Sequence, residues 1–337
     1  MKRLSLYFSG PEEVEVREEK IEPPRGDSVL VENEFSAISS GTEMLFYLGR
    51  IEEDTIIDKG IGGLEKKFDY PFKYGYSSVG KVKEVGKEVS EEWKNKLVFS
   101  FHPHESRFIT KTDNLIPIPS GIESEEAVFL PSIETAINLL MDGRPLIGEN
   151  VLMMGQGIIG LLTTSLLNEM PLSSIVTSDR HQLRREMSEE MGAELSIKAE
   201  KNEEEFYLDD GLPDSGADLT YEITGNSDTL ERAIRLTGLE GRIVIGSWYG
   251  DINSEIKLGT QFHRKRLKLI SSQVSRINPE YSGRWDKERR LDLAWEYVRN
   301  MDLRKLITHE FSLKEAKKAY NLIEKDRRKI LQAVFKY

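Results

Sequence analysis

Val151-Leu152-Met153-Met154-Gly155-Gln156-Gly157-Ile158-Ile159-Gly160 joins a short apolar strand to a glycine-rich turn, and the turn to a helix carrying Leu161, Leu162, Leu166 and Leu167. That order suits a dinucleotide. Gly155 permits the tight turn, Gly157 lets backbone amides approach a pyrophosphate with no Cβ in the way, and Gly160 lets the helix pack closely on its strand. The helix N-terminus then faces the phosphates with free amides and the positive end of its dipole, so no basic side chain is needed within Gly155, Gln156, Gly157, Ile158, Ile159 and Gly160. A second strand, Ser174-Ile175-Val176-Thr177-Ser178, ends at Asp179, about 20 residues beyond the glycines, where the ribose-binding acid is expected. Glycines spaced in this way also occur in ordinary loops and tight helix contacts. The strand before them, the apolar helix after them and the acid in register single out this set. A carboxylate accepts hydrogen bonds from a free ribose diol and repels a 2′-phosphate, which predicts NAD ahead of NADP. Arg180 follows directly and Arg184 and Arg185 lie on the next helix, so NADP stays open.

Length and composition bound the rest. A chain of 337 residues is too large for one ordinary core and fits two domains. Charged residues make up 31% and the net charge is −11, which disfavours nucleic acid and anionic membrane surfaces, since both require a cationic face. A small molecule is the expected partner. No apolar run is long enough to span a bilayer, and Met1-Lys2-Arg3-Leu4-Ser5-Leu6-Tyr7-Phe8 has too short an apolar core for a signal peptide, so a cytoplasmic protein is expected. The absence of cysteine excludes disulfides and thiolate metal sites.

Up to about residue 120 the chain reads as short β-rich pieces: Ser28 to Phe35, Val79 to Gly86 and Leu97 to Phe101. Strands this short, with no long helices between them, predict a compact barrel-like domain. From Glu123 strands alternate with helices: strands from Asn150 to Met154, Ile175 to Ser178, Ala217 to Thr224 and Gly241 to Ser247, and helices from Ile158 to Met170, Gln182 to Met191 and Ser227 to Leu236. That alternation predicts a doubly wound parallel sheet with helices on both faces and the cofactor at its switch point. The tail from about Asn278 holds helical stretches from Arg289 to Met301 and Leu313 to Lys325, then a strand from Ile330 to Phe335, and is expected to return to the first domain. Pocket shape depends on loops such as Leu45 to Asp69, which pattern alone does not build.

This order of parts brings a family into view. Gly75-Tyr76-Ser77-Ser78-Val79-Gly80-Lys81-Val82-Lys83-Glu84-Val85-Gly86 is similar to a GHExxGxVxxVG segment, and Gly192-Ala193 and Tyr221-Glu222-Ile223-Thr224-Gly225 are similar to later Rossmann landmarks. With these motifs the chain resembles, over nearly its whole length, the medium-chain dehydrogenase/reductase superfamily, the alcohol and sorbitol dehydrogenase relatives. The resemblance implies an α/β chain with a Rossmann doubly wound parallel sheet plus a GroES-like β-rich domain: a substrate domain over 1–124, a dinucleotide-binding domain over 125–272 and a returning tail over 273–337. It also implies a homodimer joined through the edge strand near Gly241 to Gly246 and the segment Leu267 to Val274. Ile38-Ser39-Ser40-Gly41-Thr42-Glu43, Tyr70-Pro71-Phe72-Lys73-Tyr74-Gly75-Tyr76 and Ser271-Ser272-Gln273-Val274 are similar, more narrowly, to the branch called bacteriochlorophyllide a dehydrogenase-like. That label is carried by proteins of organisms that make no chlorophyll, so it leaves the substrate open.

The departures from the family pattern carry the mechanism. Zinc members hold their catalytic metal with a cysteine, the histidine of GHE and a later glutamate or cysteine. Here Ser40 replaces the cysteine, Tyr76 the histidine, and Pro131, or a neighbour, the third ligand. A hydroxyl, a phenol and a proline do not hold zinc at useful affinity, and the four-cysteine lobe for structural zinc is missing, so the expectation is an enzyme without zinc. His102, His104, Glu43 and Glu134 are the residues from which an improvised metal site would have to be built. Without a Lewis acid, charge developing on a substrate oxygen must be met by hydrogen-bond donors and a proton source. By the resemblance Thr42 takes the place of the relay hydroxyl and Tyr76 stands where the metal was anchored, aiming a phenol at a carbonyl or simply filling the vacated volume. Ser40 and His104 are expected as polar pocket wall, and Glu43 and Glu134 as proton carriers or structural ion pairs. Thr224 and Gly225 are expected near the adenine or ribose edge, Gly246 and Ser247 near the nicotinamide, with Trp248 and Tyr249 over the substrate or packed as structure.

Three functions fit these residues. The first is a zinc-independent, NAD(P)-linked oxidoreductase acting on a secondary alcohol or ketone. The second is an enoyl or quinone reductase of the same superfamily, in which no strong acid is required. The third is a relative that binds nucleotide without turnover.

Overall fold

The computed structural model describes residues 1–52, 55–56, 67–200, 203–207 and 211–337. The rest of the Leu45–Asp69 loop, 53–54 and 57–66, lies outside the described residues. The chain forms two compact units, Ser132–Ala294, and Met1–Pro131 together with Trp295–Tyr337.

The unit Ser132–Ala294 is built on six parallel strands: β1 Asn150–Met154, β2 Ser174–Asp179, β3 Leu195–Lys198, β4 Ala217–Glu222, β5 Thr237–Ile245 and β6 Lys268–Ser271. Their order across the sheet is β3-β2-β1-β4-β5-β6, the doubly wound arrangement, and it reverses direction between β1 and β4. Helices Ile158–Asn168, Gln182–Glu190 and Thr229–Leu236 follow β1, β2 and β4. In β2 all six residues are buried, and in β1 Val151, Leu152, Met153 and Met154 are. A parallel sheet covered on both faces buries both sides of its strands, so the apolar run of β1 and the Ile175 and Val176 pair of β2 stand out in the sequence. β5 begins at Thr237 rather than Gly241, because Thr237 pairs with Ala217 before a register shift carries the ladder on to Leu219 and Arg242. The intervening Gly238-Leu239-Glu240-Gly241 reads as a turn in sequence. β3 was not legible at all: it is an edge strand, and of its residues only Ile197 is buried.

The other unit carries a seven-stranded sheet and a two-stranded one. Ser28–Ala37 is the hub of the larger sheet, pairing antiparallel with Ser78–Val85, Arg107–Lys111 and Gln332–Lys336, and Ile307–Ser312 closes on Gln332–Lys336 in parallel. Lys2–Gly10 and Glu13–Lys20 form an antiparallel hairpin whose buried Leu6, Phe8 and Val14 join a cluster with Phe46, Phe72, Tyr74 and Tyr320.

A charged network ties this hairpin to the segment around His104. Glu105, 2% exposed, accepts from Lys73 Nζ (2.6 Å), Ser5 Oγ (2.9 Å) and Arg3 Nη1 (3.1 Å) and pairs with His102 Nε2 (2.9 Å). Burial alone would raise its pKa, but the hydrogen bond and charge of His102, followed by Lys73, outweigh it and bring the carboxyl down to about 2. Because the folded value lies below the ordinary one, the stabilisation is complete above about pH 4.5 and is lost as pH falls toward 2. Over that window Glu105 is expected to account for about 3 kcal/mol of stability. Glu105→Gln should flatten acid unfolding between those limits; an unchanged acid limb refutes the assignment.

Candidate functional site

The turn after β1 is shaped as a phosphate seat. Gly155 has φ +99°, and a Cβ there would stand 2.9 Å from the carbonyl carbon and oxygen of Ile223 and the nitrogen of Thr224, all backbone. A side chain at 160 would overlap the carbonyl oxygen of Gly155. Gly157 caps the helix Ile158–Asn168, whose first amides have no partner within the helix. The geometry therefore fits the pyrophosphate of a dinucleotide, which uses free amides and close backbone approach.

Asp179 closes the seat from β2. Its Oδ2 accepts from the backbone N–H of Gln156 (2.8 Å) and its Oδ1 from that of His181 (2.8 Å), so the acid holds the glycine turn as well as facing it. Gln156 is buried, and its Oε1 accepts from Thr164 Oγ1 (3.2 Å). Arg184 Nη1 lies 3.8 Å from Asp179 Oδ2 and 4.0 Å from where a Cβ on Gly157 would be. Burial pushes the Arg184 guanidinium pKa down, against the pull of Asp179. Arg180 is exposed beside it. The guanidinium of Arg184 thus tempers the repulsion that Asp179 alone would exert on a 2′-phosphate.

On the far side of the switch point, Gly225 N donates to Ser247 Oγ (2.9 Å), binding the turn after β4 to the turn after β5 where Gly246 sits. Glu222, the last residue of β4, is wholly buried and accepts from Thr224 N (2.9 Å), Thr224 Oγ1, Thr229 Oγ1 (2.8 Å) and Tyr249 Oη. Tyr249 therefore packs as structure, and burial next to this carboxylate raises its pKa well above the phenol's usual value. Trp248 is 43% exposed. The sequence reading named Arg184, with Arg180 and Arg185, as a counter-charge to Asp179, and gave Glu222 no role; Asp218 and Thr220 share its strand, so nothing local singles it out.

The unit 1–131 with 295–337 collects most of the expected proton-handling residues. Helix Thr42–Tyr47 follows the turn of Ser39, Ser40 and Gly41, and Thr42 N donates to Ser39 Oγ (3.3 Å). Tyr76 Oη donates to the same Ser39 Oγ (2.7 Å), so Ser39, missed in sequence, is where Thr42 and Tyr76 meet. Ser40 is half-buried in that turn. Glu43 and His104 lie behind it, each with no exposed surface. Glu43 Oε1 accepts from Ser39 N (2.8 Å), its Oε2 faces His104 Nε2 (3.1 Å) and accepts from Tyr320 Oη, while His104 Nδ1 bonds Ser36 Oγ (2.7 Å), which bonds Tyr337 Oη (2.9 Å). Burial first, then the charge of Glu43, drives the Tyr320 pKa well up.

Glu134, on helix Leu130–Gly143, belongs to the other unit. Its Oε1 receives Arg290 Nη2 (2.8 Å) and Nε (3.2 Å), and Arg290 also donates to Asn138 Oδ1 (2.6 Å) and the Val274 carbonyl (2.5 Å). The Ser271–Val274 segment is held to the same helix, with Ser272 Oγ donating to Asp142 Oδ2 (2.7 Å) and accepting from Asn138 Nδ2 (3.0 Å). His102 stacks on Phe108, ring centroids 3.7 Å apart, and turns to Glu105, away from the Glu43–His104 pair. Among the described residues no three His, Asp or Glu side chains converge as metal ligands, and Ser40, Tyr76 and Pro131 do not fit zinc by donor chemistry.

Residues 159–288 match the family model described as zinc-binding dehydrogenase. D-guloside 3-dehydrogenase of Escherichia coli is 24% identical over 290 residues, 81% of this chain and 82% of that one. Among solved structures, an E. coli alcohol dehydrogenase complexed with NADH is 19% identical with a TM-score of 0.78, covering 100% of this chain and 99% of its own. A putative zinc-binding dehydrogenase from Sinorhizobium meliloti bound to NADP is 18% identical, again with a TM-score of 0.78, with full coverage of both chains. No helix among the described residues is long and apolar enough to cross a membrane. Residues 159–288 thus carry the match to the zinc-binding dehydrogenase family model, and along its whole length the chain shares the fold of these solved dehydrogenases, a parallel Rossmann-like sheet beside an antiparallel one.

Proposed function

We propose that the protein is a zinc-independent NAD(P)(H)-dependent oxidoreductase acting on a secondary alcohol and its ketone, with a polyhydroxylated substrate as the first choice. The observation that carries this reading is the glycine turn of Gly155, Gly157 and Gly160 tied to Asp179, a seat for a dinucleotide with a free ribose diol. NAD is the preferred coenzyme, and Arg184 keeps NADP within reach. The sugar-directed name of the E. coli relative supports the choice of substrate class.

A bound nicotinamide supplies the hydride acceptor or donor. The chain itself must handle the substrate oxygen and its proton. Tyr76 Oη and Thr42 Oγ1 are the groups assigned to present a hydrogen bond to that oxygen as charge gathers on it, and Ser39 Oγ holds the phenol in place until then. Glu43 acts one step back, fixing the Ser39 turn through its backbone amide while His104 and Tyr320 hold its other oxygen. Ser40 contributes polar wall. Glu134 is occupied by Arg290 and takes no part in this scheme. Because the donor set does not fit zinc, no step runs through a metal.

NADH fluorescence quenching tests binding, and a panel of polyols, sugar glycosides, ketones, quinones and enones tests hydride transfer. Turnover confined to enones or quinones moves the assignment to an enoyl or quinone reductase, and binding with no turnover moves it to a non-catalytic relative. Stoichiometric zinc retained after dialysis overturns the zinc-independent part. On the substrate so found, Tyr76→Phe and Thr42→Ala should each lower kcat by about 100-fold. If both leave it unchanged, the donor assignment fails. The same reading includes a homodimer joined through the segment Leu267 to Val274, which holds the edge strand β6, whereas the expected edge near Gly241 to Gly246 falls on β5, between β4 and β6; sedimentation would show twice the chain mass.

A further inference from the structure

The hairpin Lys2–Gly10 with Glu13–Lys20 has one apolar face, on which Leu4 lies opposite Glu18, Leu6 opposite Val16 and Phe8 opposite Val14. Part of that face is closed. Leu6 and Phe8 are buried, and the Phe8 ring stands 5.3 Å from that of Tyr320 on helix Ala316–Lys325. Toward the first turn of the helix the cover thins to Ala316, a single methyl, and an open groove of about 400 Å³ remains, lined by Leu4, Val14, Val16 and Ala316 with Glu18, Lys314 and Lys317. Sites for small ligands are clefts of roughly 300–1,000 Å³ with an apolar lining and a few polar groups that fix orientation, and this groove falls at the small end of that range.

Charge decides what it takes. Glu18 is matched by Lys2 Nζ (2.6 Å), and Glu315, next to Lys314 in the chain, turns its carboxylate to Ser312 N (3.1 Å) and Lys318 Nζ (3.3 Å). Lys314 and Lys317 meet no carboxylate among the described residues. Two cations without a partner, beside an apolar floor, stand out in a chain whose net charge is −11. A lysine stem lies readily along apolar surface while its ammonium stays at the edge, so floor and charge belong to one site.

We propose that this groove binds a small anionic amphiphile, a medium-chain carboxylate, with its alkyl chain on Leu4, Val14, Val16 and Ala316 and its carboxylate at Lys314 and Lys317. The site lies within the unit 1–131 with 295–337 and is independent of the coenzyme reading. A ligand there joins the strand Glu13–Lys20 to the start of the helix, and by binding the folded chain it raises stability in proportion to its occupancy.

The test is calorimetric titration of the full chain with sodium octanoate, alongside thermal unfolding. Wild type should bind one octanoate saturably and melt at a higher temperature as octanoate is added. Octan-1-ol, with the same chain and no charge, should bind about tenfold more weakly, and acetate, with the charge and no chain, should not saturate. Lys314→Glu combined with Lys317→Glu should weaken octanoate about tenfold or more and leave octan-1-ol within about twofold. Both lysines are exposed, so this variant is expected to fold. Val16→Trp, which fills the floor, should weaken both ligands. Non-saturating octanoate binding by wild type, or the same octanoate affinity in the double-glutamate variant, overturns the site and leaves the dinucleotide reading untouched.

Discussion

Gly155→Ala is expected to destabilise the unit 132–294 by about 3 kcal/mol and to weaken NADH binding by about two orders of magnitude. Two costs combine. Alanine at φ +99° occupies backbone space that an L side chain rarely enters, and its Cβ would press on Ile223 and Thr224 at 2.9 Å, where the neighbours are main chain and have no rotamer to change. Relief requires the turn to move, and the turn presents the amides that cradle phosphate. Denaturant unfolding measures the first effect and NADH titration the second. A variant that loses stability but keeps wild-type affinity would show that the coenzyme does not rest on this turn.

The second large effect concerns the Arg290–Glu134 pair, with side chains 1% and 4% exposed. Arg290→Met should cost about 3–5 kcal/mol, because it leaves the carboxylate of Glu134 buried without its cation and frees Asn138 and the Val274 carbonyl as well. Adding Glu134→Leu to that variant should return most of the loss, since an apolar pair of similar volume in place of a buried ion pair is often neutral or better. If the double variant is as unstable as the single one, the cost lies in the lost packing and hydrogen bonds of Arg290 and not in the stranded charge. Coenzyme affinity should change little in either variant, as neither residue touches the glycine turn.

What could be read from the sequence follows from how far apart the interacting residues lie along it. β1, β2 and β4 are buried but for Asn150 and Asp218, so their pattern shows without knowledge of their neighbours. The glycine turn and Asp179 are related by a short, fixed spacing, and the structure joins them through the Gln156 amide. The hairpin Lys2–Gly10 with Glu13–Lys20 escaped notice because its apolar face is Leu4, Leu6 and Phe8 interleaved with Arg3, Ser5 and Tyr7, whose polar groups turn to Glu19 and Glu105. Ser39 meets Tyr76 across 37 residues, and Glu43 meets His104 across 61. Partnerships at that range depend on how the strands pair, and no spacing rule reports them. The groove beside Ala316 is further removed still, because it becomes visible only once every neighbour is in place.

The strand Gln332–Lys336 lies inside its sheet, between Ile307–Ser312 and Ser28–Ala37, so the hub strand Ser28–Ala37 waits until the whole of 132–294 has been synthesised before that ladder closes. The intervening 132–294 has all its strands in hand well before then. On the ribosome the unit 132–294 is thus positioned to mature first, while an incomplete sheet with an open flank waits for Gln332–Lys336, and this interval is when the nascent chain is most exposed to mispairing and to chaperones.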